Sequence, residues 1–450
     1  MSELPKGWSL VSLDKIADWG SGGTPKRTEN SYYDGDIPWV KTGDLGPKFL
    51  RQSSEFISQE GLKNSSAKLF LKGSVAIAMY GATIGKTSIL DFDASTNQAC
   101  AVGMPIVGVT DTNFLYYLLN NEKQDFIKKG KGGAQPNISQ QIIKAHEIWF
   151  PPLAEQKCIV EKLDQVLAQV DTIKAHLDGI PAILKRFRQS VLAAAVSGKL
   201  TEEWRGGESF NSQIKKLGDA GVSIKTGPFG SALHKHDYIH SGVPVINPMH
   251  ILEGQLFPSE SMTINESKYS ELSAWHLRDG DVIVGRRGEM GRAATVKGDQ
   301  RLLCGTGSMI LRVNEDSLPK YLELILRSPT AIQYFNSASV GSTMVNLNQK
   351  VIKDLEIYFP PLYEQTEIVR LVDQYFAFAD TIERQVQKAQ QRVDKLTQSI
   401  LAKAFRGELV PQDPNDEPAD QLLKRIAAAR AESEALAKAA KKVGKKTGKS

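Results

Sequence analysis

Two kinds of residue cluster in this 450-residue sequence could do chemistry. The first is Tyr80-Gly81-Ala82-Thr83-Ile84-Gly85-Lys86-Thr87, which has the look of a phosphate-gripping loop after a short apolar run. ATP-binding loops space their residues as G-x-x-x-x-G-K-[ST], so that successive backbone N–H groups cradle the phosphates. Here the first glycine lies one residue too close and Tyr80 occupies its place. The matching stretch Gly288-Glu289-Met290-Gly291-Arg292 has no Lys-Thr pair, so ATP binding is not expected. Gly20-Ser21-Gly22-Gly23 is not a dinucleotide fingerprint either, because Pro25 stands where the third glycine belongs. The seven histidines form no HExxH pair, and no serine sits in a G-x-S-x-G turn. Cys100, Cys158 and Cys304 are too few and too scattered for a zinc site or a disulfide framework. No catalytic residue and no metal site is expected.

The second kind is a set of basic residues on glycine-flanked loops. In the first half these are Gly20 to Arg27, Lys41-Thr42-Gly43-Asp44, Gly81 to Lys86, and Lys128 to Gln135. In the second half they are Lys225 to Ser231, His234-Lys235-His236, Arg286-Arg287, Arg292, and Gly341-Ser342-Thr343. Lys and Arg beside glycine suit phosphate contact, because backbone N–H groups also approach closely there. Arg, Asn and Gln are the side chains that read base edges. By itself a basic loop is more often only a solvated loop. The net charge of +5 permits a nucleic-acid partner without demonstrating one.

The elements that would carry these loops come in a tandem repeat. Ile148-Trp149-Phe150-Pro151-Pro152-Leu153-Ala154-Glu155-Gln156 is answered by Ile357-Tyr358-Phe359-Pro360-Pro361-Leu362-Tyr363-Glu364-Gln365, an offset of 209 that holds without a gap for over fifty residues. The same offset pairs Asn137 with Asn346 upstream, before the halves diverge. Phe-Pro-Pro is close to an adenine-methyltransferase tetrapeptide, but the leading Asn or Asp is missing. A heptad seam comes next in each copy. Ile159, Leu163, Val166, Val170, Ile173, Leu177, Leu184 and Phe187 keep one phase in the first copy. Ile368, Val372, Tyr375, Ile382, Val386, Val393, Leu396 and Ile400 keep it in the second. Alternating steps of three and four define a coiled-coil helix. Gly179-Ile180-Pro181 should kink or break the first helix, and Gly198 and Gly407 suit helix ends. The exposed faces near Glu155, Gln156, Glu364 and Gln365 are candidates for subunit docking or for helix capping.

The segments ahead of the seams alternate short apolar runs, such as Val75–Met79 and Val243–Ile246, with Gly, Pro and Asn, and read as strands in long loops. Phe114–Lys128 and Pro319–Phe335 read as helices. The expected fold is α/β (α+β): a mixed domain at 1–150, a helical rod at 151–205, a second mixed domain at 206–359, a second rod at 360–410, and a tail at 411–450. The tail should be a linker, a helix over Ala419–Ala440 and a solvated lysine-rich end. The two rods most simply bury their seams against each other. No run of 18 apolar residues and no secretory h-region occurs, so no membrane role is expected, and the sparse cysteines favour a reducing, cytoplasmic compartment.

Two divergent domains, each followed by a Phe-Pro-Pro-Leu-x-Glu-Gln rod, resemble the DNA specificity subunits of type I restriction–modification systems. Leu4-Pro5-Lys6-Gly7-Trp8, Gly22-Gly23-Thr24-Pro25 with Ile37-Pro38-Trp39, Ile183 to Leu200, and Thr397 to Leu409 add to the resemblance, the last looking like the enteric branch. The resemblance implies two target-recognition domains, each reading one half of a split double-stranded DNA target. It implies rods paired antiparallel, which give the repeat a pseudo-two-fold axis. It also implies partners: two modification (methyltransferase) subunits, and restriction subunits that are ATP-dependent translocases and nucleases. AdoMet, ATP and Mg are expected on those partners and no cofactor on this chain. The candidate DNA contacts are Lys26, Arg27, Lys41, Lys86, Lys131 and Gln135 in the first domain. In the second they are Lys225, His234, Lys235, Arg286, Arg287, Arg292 and Thr343. Duplex DNA has dyads perpendicular to its axis, so duplicated readers suit half-sites about 34 Å apart. The competing readings are a coiled-coil scaffold with two protein-binding domains, which would show no salt-sensitive DNA binding, and a self-contained methyltransferase or nuclease, which would bind AdoMet alone.

Overall fold

The computed structural model describes residues 4–130, 137–206, 213–229, 232–338 and 346–447. Lys131, Gln135 and Thr343 lie outside them. By its contacts the chain divides into two compact units, Met1–His176 with Ala389–Ser450, and Leu177–Lys388. Boundaries drawn at the helix starts follow the repeat; the contacts instead give each unit one mixed domain and a part of both long helices.

In the first unit, strand β1 (Ser9–Ser12) opens the domain and β2 (Ala17–Ser21) forms a sheet edge. The next members of that sheet are β3 (Val75–Ala78) and β4 (Cys100–Pro105), which pairs antiparallel with both β2 and β3. Helix α1 (Thr112–Asn121) comes after it, N-capped by Asp111, whose carboxylate accepts from the Phe114 N–H. Strand β5 (Glu147–Phe150) then returns to β1, with Ser9 opposite Phe150, and leads into helix α2 (Leu153–Val196).

The second unit repeats this order. Strands β6 (Gln213–Lys216), β7 (Ser223–Thr226), β8 (Val282–Gly285) and β9 (Ser308–Arg312) precede helix α3 (Pro319–Arg327), strand β10 (Glu356–Phe359) and helix α4 (Leu362–Ala404). Strand β6 pairs with β10, and β9 lies between β7 and β8, as β4 lies between β2 and β3. A second small sheet recurs too. Trp39-Val40 runs parallel to Ser95-Thr96, and Val245-Ile246 runs parallel to Leu303-Cys304. The topology is thus duplicated even where the sequences have diverged. Helix α5 (Ala419–Thr447) closes the chain and runs past the expected end at Ala440.

The expected helix over Pro319–Phe335 is two helices, α3 and Pro329–Ala338. Pro329 drives its predecessor Ser328 into an extended backbone (ψ 149°) and ends α3 there. Phe114–Lys128 is likewise divided, into α1 and Lys123–Lys129. The closing strands β5 and β10 overlap the Ile-x-Phe of the repeat motif, at the very end of the segments expected as mixed domains, whose strands were expected only in their first two thirds.

Within each unit the two long helices pair antiparallel. In the second unit Phe187 meets Tyr375 and Arg188 bonds Asp380 and Glu383, while Thr201, just beyond the end of α2, bonds Glu364 in the first turn of α4, so the end of α2 lies at the start of α4. In the first, Lys174 pairs with Asp394 and Glu155 with Gln412. Most of the seam is core. Ile159, Leu163, Val170, Val393 and Ile400 are buried in the first unit, and Leu184, Ile368, Val372 and Val386 in the second. Val166, Leu177, Phe187 and Ile382 are half-buried. Three seam positions correct the expectation: Ile173, Tyr375 and Leu396 are 47%, 41% and 44% exposed. A two-helix pair covers each helix on one side only, so positions on the flank of the stripe stay open.

Pro181 does not break α2, which is continuous from Leu153 to Val196. Proline deprives the Leu177 carbonyl of its helical donor, and the exposed position of Pro181 leaves that carbonyl to water. Pro181→Ala should therefore raise the thermal stability by about 1–3 kcal/mol, less than the full proline penalty because proline also restricts the unfolded chain. An unchanged or lower melting temperature would contradict this. Gly198 and Gly407 end their helices in the left-handed region, at φ 75° and 74°, where other residues are strained.

Candidate nucleic-acid interface

The repeat motif residues Glu155, Gln156, Glu364 and Gln365 are not on exposed faces; all four are buried. The Gln156 amide accepts from the Asp111 N–H (3.0 Å) and donates to the carbonyls of Val109 (3.0 Å) and Pro151 (3.2 Å). Gln365 does the same with Leu318 N–H (2.9 Å), Asp316 O (3.1 Å) and Pro360 O (2.9 Å). Each glutamine clamps the loop before α1 or α3 onto the start of a long helix. Subunit docking by these side chains is therefore corrected to an internal fastening. The glutamates differ between halves. Glu155 accepts from Trp8 Nε1 and Gln412 Nε2, whereas Glu364 accepts from Thr201 and Arg205.

What the fastened domains present lies at one end of each sheet. In the second unit β8 runs directly into Arg286 and Arg287. The Leu347 N–H donates to Arg286 O (2.8 Å), and Arg287 bridges Asn346. Arg286 is buried, its Nε donates to Asn346 Oδ1 (3.0 Å), and its guanidinium stands 5.3 Å from the Phe229 ring centre. Burial, and then the charge of Arg287, lower the Arg286 pKa. Its Nη1 has no hydrogen-bond partner among the described residues. Arg287 is exposed, and Phe229 is 59% exposed. Beside them, Thr226 accepts from Gln349 Nε2, and Lys225 lies 5.3 Å over the Trp275 ring. Planar cations, an open aromatic face and amides together are the chemistry that reads base edges and stacks on bases.

The first unit has the same frame with other side chains. The Ile138 N–H donates to Met79 O (2.9 Å), and Tyr80 bridges Asn137 as Arg287 bridges Asn346. So Met79 and Tyr80 stand where the second unit has Arg286 and Arg287. Lys86 is exposed in the next turn and has no ion pair among the described residues. The near-phosphate loop spends its backbone donors internally: Ile84 N–H on Gly81 O, Gly85 N–H on Ala78 O, and Lys86 N–H on Thr83 O. The glycines of the Gly22-Gly23 loop serve packing. A Cβ on Gly22 would stand 2.0 Å from Thr96 O, and one on Gly23 2.4 Å from the Ser66 backbone.

Other candidates are already engaged. Lys41 (2.6 Å) and Arg27 (2.8 Å) both bind Glu55, and Lys41 first, then Arg27, hold that carboxyl below its usual range. Arg27 also lies over the Tyr33 and Trp39 rings, at 4.6 and 5.0 Å. Lys26 pairs with Glu29, and Arg292 with Glu289 and Pro248 O. His234 and Lys235 belong to an exposed turn in which Asp237 accepts the His234 N–H. The structure thus gathers Arg286 and Arg287 with Phe229 and Asn346 and leaves His234 and Lys235 in a separate turn. Tyr80, Phe229 and Trp275 were not among the expected contacts, because an aromatic residue carries no charge signal. Asn346 was visible only as the repeat mate of Asn137. Among the described residues no group of three His, Cys, Asp or Glu could hold a metal ion, and no helix is long and apolar enough to cross a membrane.

Comparison with known proteins bears on this geometry. The family model described as "Type I restriction modification DNA specificity domain" matches residues 5–182 and 211–391. The sequence is 34% identical over 453 residues to the type I restriction enzyme EcoKI specificity subunit of Escherichia coli (strain K12), covering 95% of this chain and 97% of that one. It is 34% identical over 462 residues to the StySPI specificity subunit of Salmonella potsdam, covering 95% and 96%. Among solved structures, it matches the HsdS subunit from Thermoanaerobacter tengcongensis with a TM-score of 0.57 at 18% identity, covering 90% of this chain and 98% of that one. A chain from work on complex assembly and conformational transition of the type I R-M system gives 0.66 at 19% identity, covering 91% and 100%. These structural likenesses establish the fold.

Proposed function

This chain belongs to the family of type I restriction–modification DNA specificity subunits, and from that premise we propose that it reads an asymmetric, two-part DNA target, one half per recognition domain. The observation that carries this is the pair of bridges, Tyr80 to Asn137 and Arg287 to Asn346. One backbone frame occurs twice and presents different side chains at its reading end. Identical frames dock on DNA alike, and different side chains select different bases, so the two half-sites differ. The long helices would carry two modification subunits and, through them, the restriction subunits. AdoMet, ATP and Mg belong on those partners, and the chain contributes selection and assembly without bond chemistry.

Sequencing host DNA for N6-methyladenine, with and without this gene, tests the reading. One bipartite motif with an unread spacer should vanish on deletion; a palindromic or continuous motif would contradict it. Arg287→Ala should cost about 1–3 kcal/mol of DNA binding and relax the second half-site alone, as expected for a bidentate base contact. A uniform loss across all sequences would make Arg287 a phosphate contact instead.

A further inference from the structure

In the first unit one carboxylate on a long helix is closed off from within. Asp164, on α2, takes the Lys48 ammonium at 2.5 Å and the Tyr117 hydroxyl. That ammonium lies 4.6 Å over the Tyr117 ring and 5.5 Å from the centre of the Phe49 ring. The repeat offset carries Asp164 to Asp373 on α4. Both partners are missing there. The Asp111 and Leu318 N–H groups, held alike by Gln156 and Gln365, align α1 with α3 and set Leu324 where Tyr117 stands. Leu324 is buried and has no hydroxyl. Val40 and Ile246 are equivalent by their parallel pairings, and eight residues on from each come Lys48 and Gly254. Gly254 turns the hairpin that pairs Ile251-Leu252 with Gln255-Leu256, at a φ of 80° that strains any other residue. A Cβ there would stand 2.2 Å from Arg327 Nη1 and 2.4 Å from Glu323 Oε1, which bond each other, so the place admits no lysine.

Asp373 is exposed, with no hydrogen bond or ion pair among the described residues, on the wall of an open cleft of about 640 Å³ within the second unit. The cleft lies between that hairpin and the long helices, and Leu252, Phe257 and Phe376 give it an apolar lining. Most of its cations are engaged. Arg188 bonds Asp380 and Glu383, and Lys320 and Arg327 bond the buried Glu323. Asp373 and Glu253 face only Lys297 as a cation without an ion pair among the described residues, so the cleft keeps a surplus of negative charge. Phe376 stands one turn along α4 from Asp373, as a ring stands beside Asp164 in the first unit. We propose that a lysine side chain of a modification subunit enters this cleft, its ammonium on Asp373 and its methylene stem along Phe376. It takes the part that Lys48 plays for Asp164. Lysine suits such a slot, because its stem covers apolar surface while its head stays with a carboxylate or over a ring. A nucleic-acid phosphate is repelled by the same charges. The proposal rests on the modification partners of the proposed function and adds an asymmetry. The partner on the first unit meets a carboxylate already filled from within, and only the partner on the second unit supplies a lysine.

The test uses the full chain and its purified modification subunit. A carbodiimide joins a carboxylate to an amine in direct contact, so treating the wild-type complex should link Asp373 to a lysine of the modification subunit, read by peptide mass spectrometry. Asp373→Asn should weaken the binding of one modification subunit by about tenfold, as for a partly exposed charged hydrogen bond, and leave the other unchanged. Sedimentation should then show chains carrying one modification subunit at concentrations where the wild type carries two. The Asp373→Asn chain alone should melt with the wild type, because its carboxylate holds nothing internal; a lower melting temperature would give Asp373 a structural role and overturn the slot. Asp164→Asn should leave assembly unchanged. Wild-type stoichiometry in Asp373→Asn, or a link from Asp373 to this chain's own lysine-rich tail, overturns the slot and leaves the specificity reading standing. A wild-type chain that binds no modification subunit overturns the assembly reading as well.

Discussion

Arg205→Ala is expected to destabilise the second unit by about 3–5 kcal/mol, because it strands the buried carboxylate of Glu364. Arg205 and Glu364 side chains are only 10% and 4% exposed. The guanidinium also donates to Gly198 O (2.9 Å), so one cation closes the end of α2 onto the start of α4. Removing both charges at once, in Arg205→Leu with Glu364→Leu, should recover much of the loss, since a buried ion pair holds little net stability over apolar packing. Equal melting temperatures for Arg205→Ala and the wild type would show that water reaches the pair. The matching glutamate in the first half behaves oppositely. Glu155 has no ion pair among the described residues, and burial raises its pKa above the usual carboxylate range, against the hydrogen bonds from Gln412 and Trp8. The folded chain then holds that proton more tightly than the unfolded chain. Its contribution to stability declines as pH rises from the unfolded pKa through the folded one. Glu155→Gln should consequently be neutral or stabilising at pH 7, measured by thermal unfolding, and a large loss would contradict this.

Gln156→Ala and Gln365→Ala are expected to cost about 2–4 kcal/mol each, from three buried hydrogen bonds apiece. The losses should be local. Hydrogen exchange should accelerate around Val109–Phe114 for Gln156→Ala and around Asp316–Leu322 for Gln365→Ala. Exchange that rises equally in both units in either variant would deny that each glutamine serves its own domain. Glutamate is expected to be worse than alanine here, because a carboxylate would face two carbonyl oxygens and could donate to neither. The repeated Glu-Gln pair is thus a joint between a long helix that recurs in both halves and a domain whose sequence differs between them.

Much of this was legible from residue order. The 209-residue offset, the heptad phase and the glycine stops are local or periodic signals, and periodicity survives without knowledge of the partner. The strands at Val75–Ala78 and Val243–Ile246 were legible as short local apolar runs. The division of Pro319–Phe335 at Pro329 could also have been read, since the residue before a proline avoids the helical region. The reading end was less legible. Lys41 and Arg27 look like free cations in the sequence, yet Glu55, a residue far along the chain, engages both. Arg286 looks like a surface arginine, yet it is buried against Phe229 and Asn346.

By itself the sequence determined the duplication, the two helices and their stripes, and the family, because these are patterns of spacing and resemblance along one chain. The tertiary structure decided which charges remain available, that Glu-Gln is a buried fastener and not a docking face, and that Met79-Tyr80 and Arg286-Arg287 occupy equivalent places. The physical reason is that burial and ion pairing depend on residues far apart in order, such as Arg286 with Asn346 or Glu55 with Arg27, which only folding brings within a few ångströms of each other.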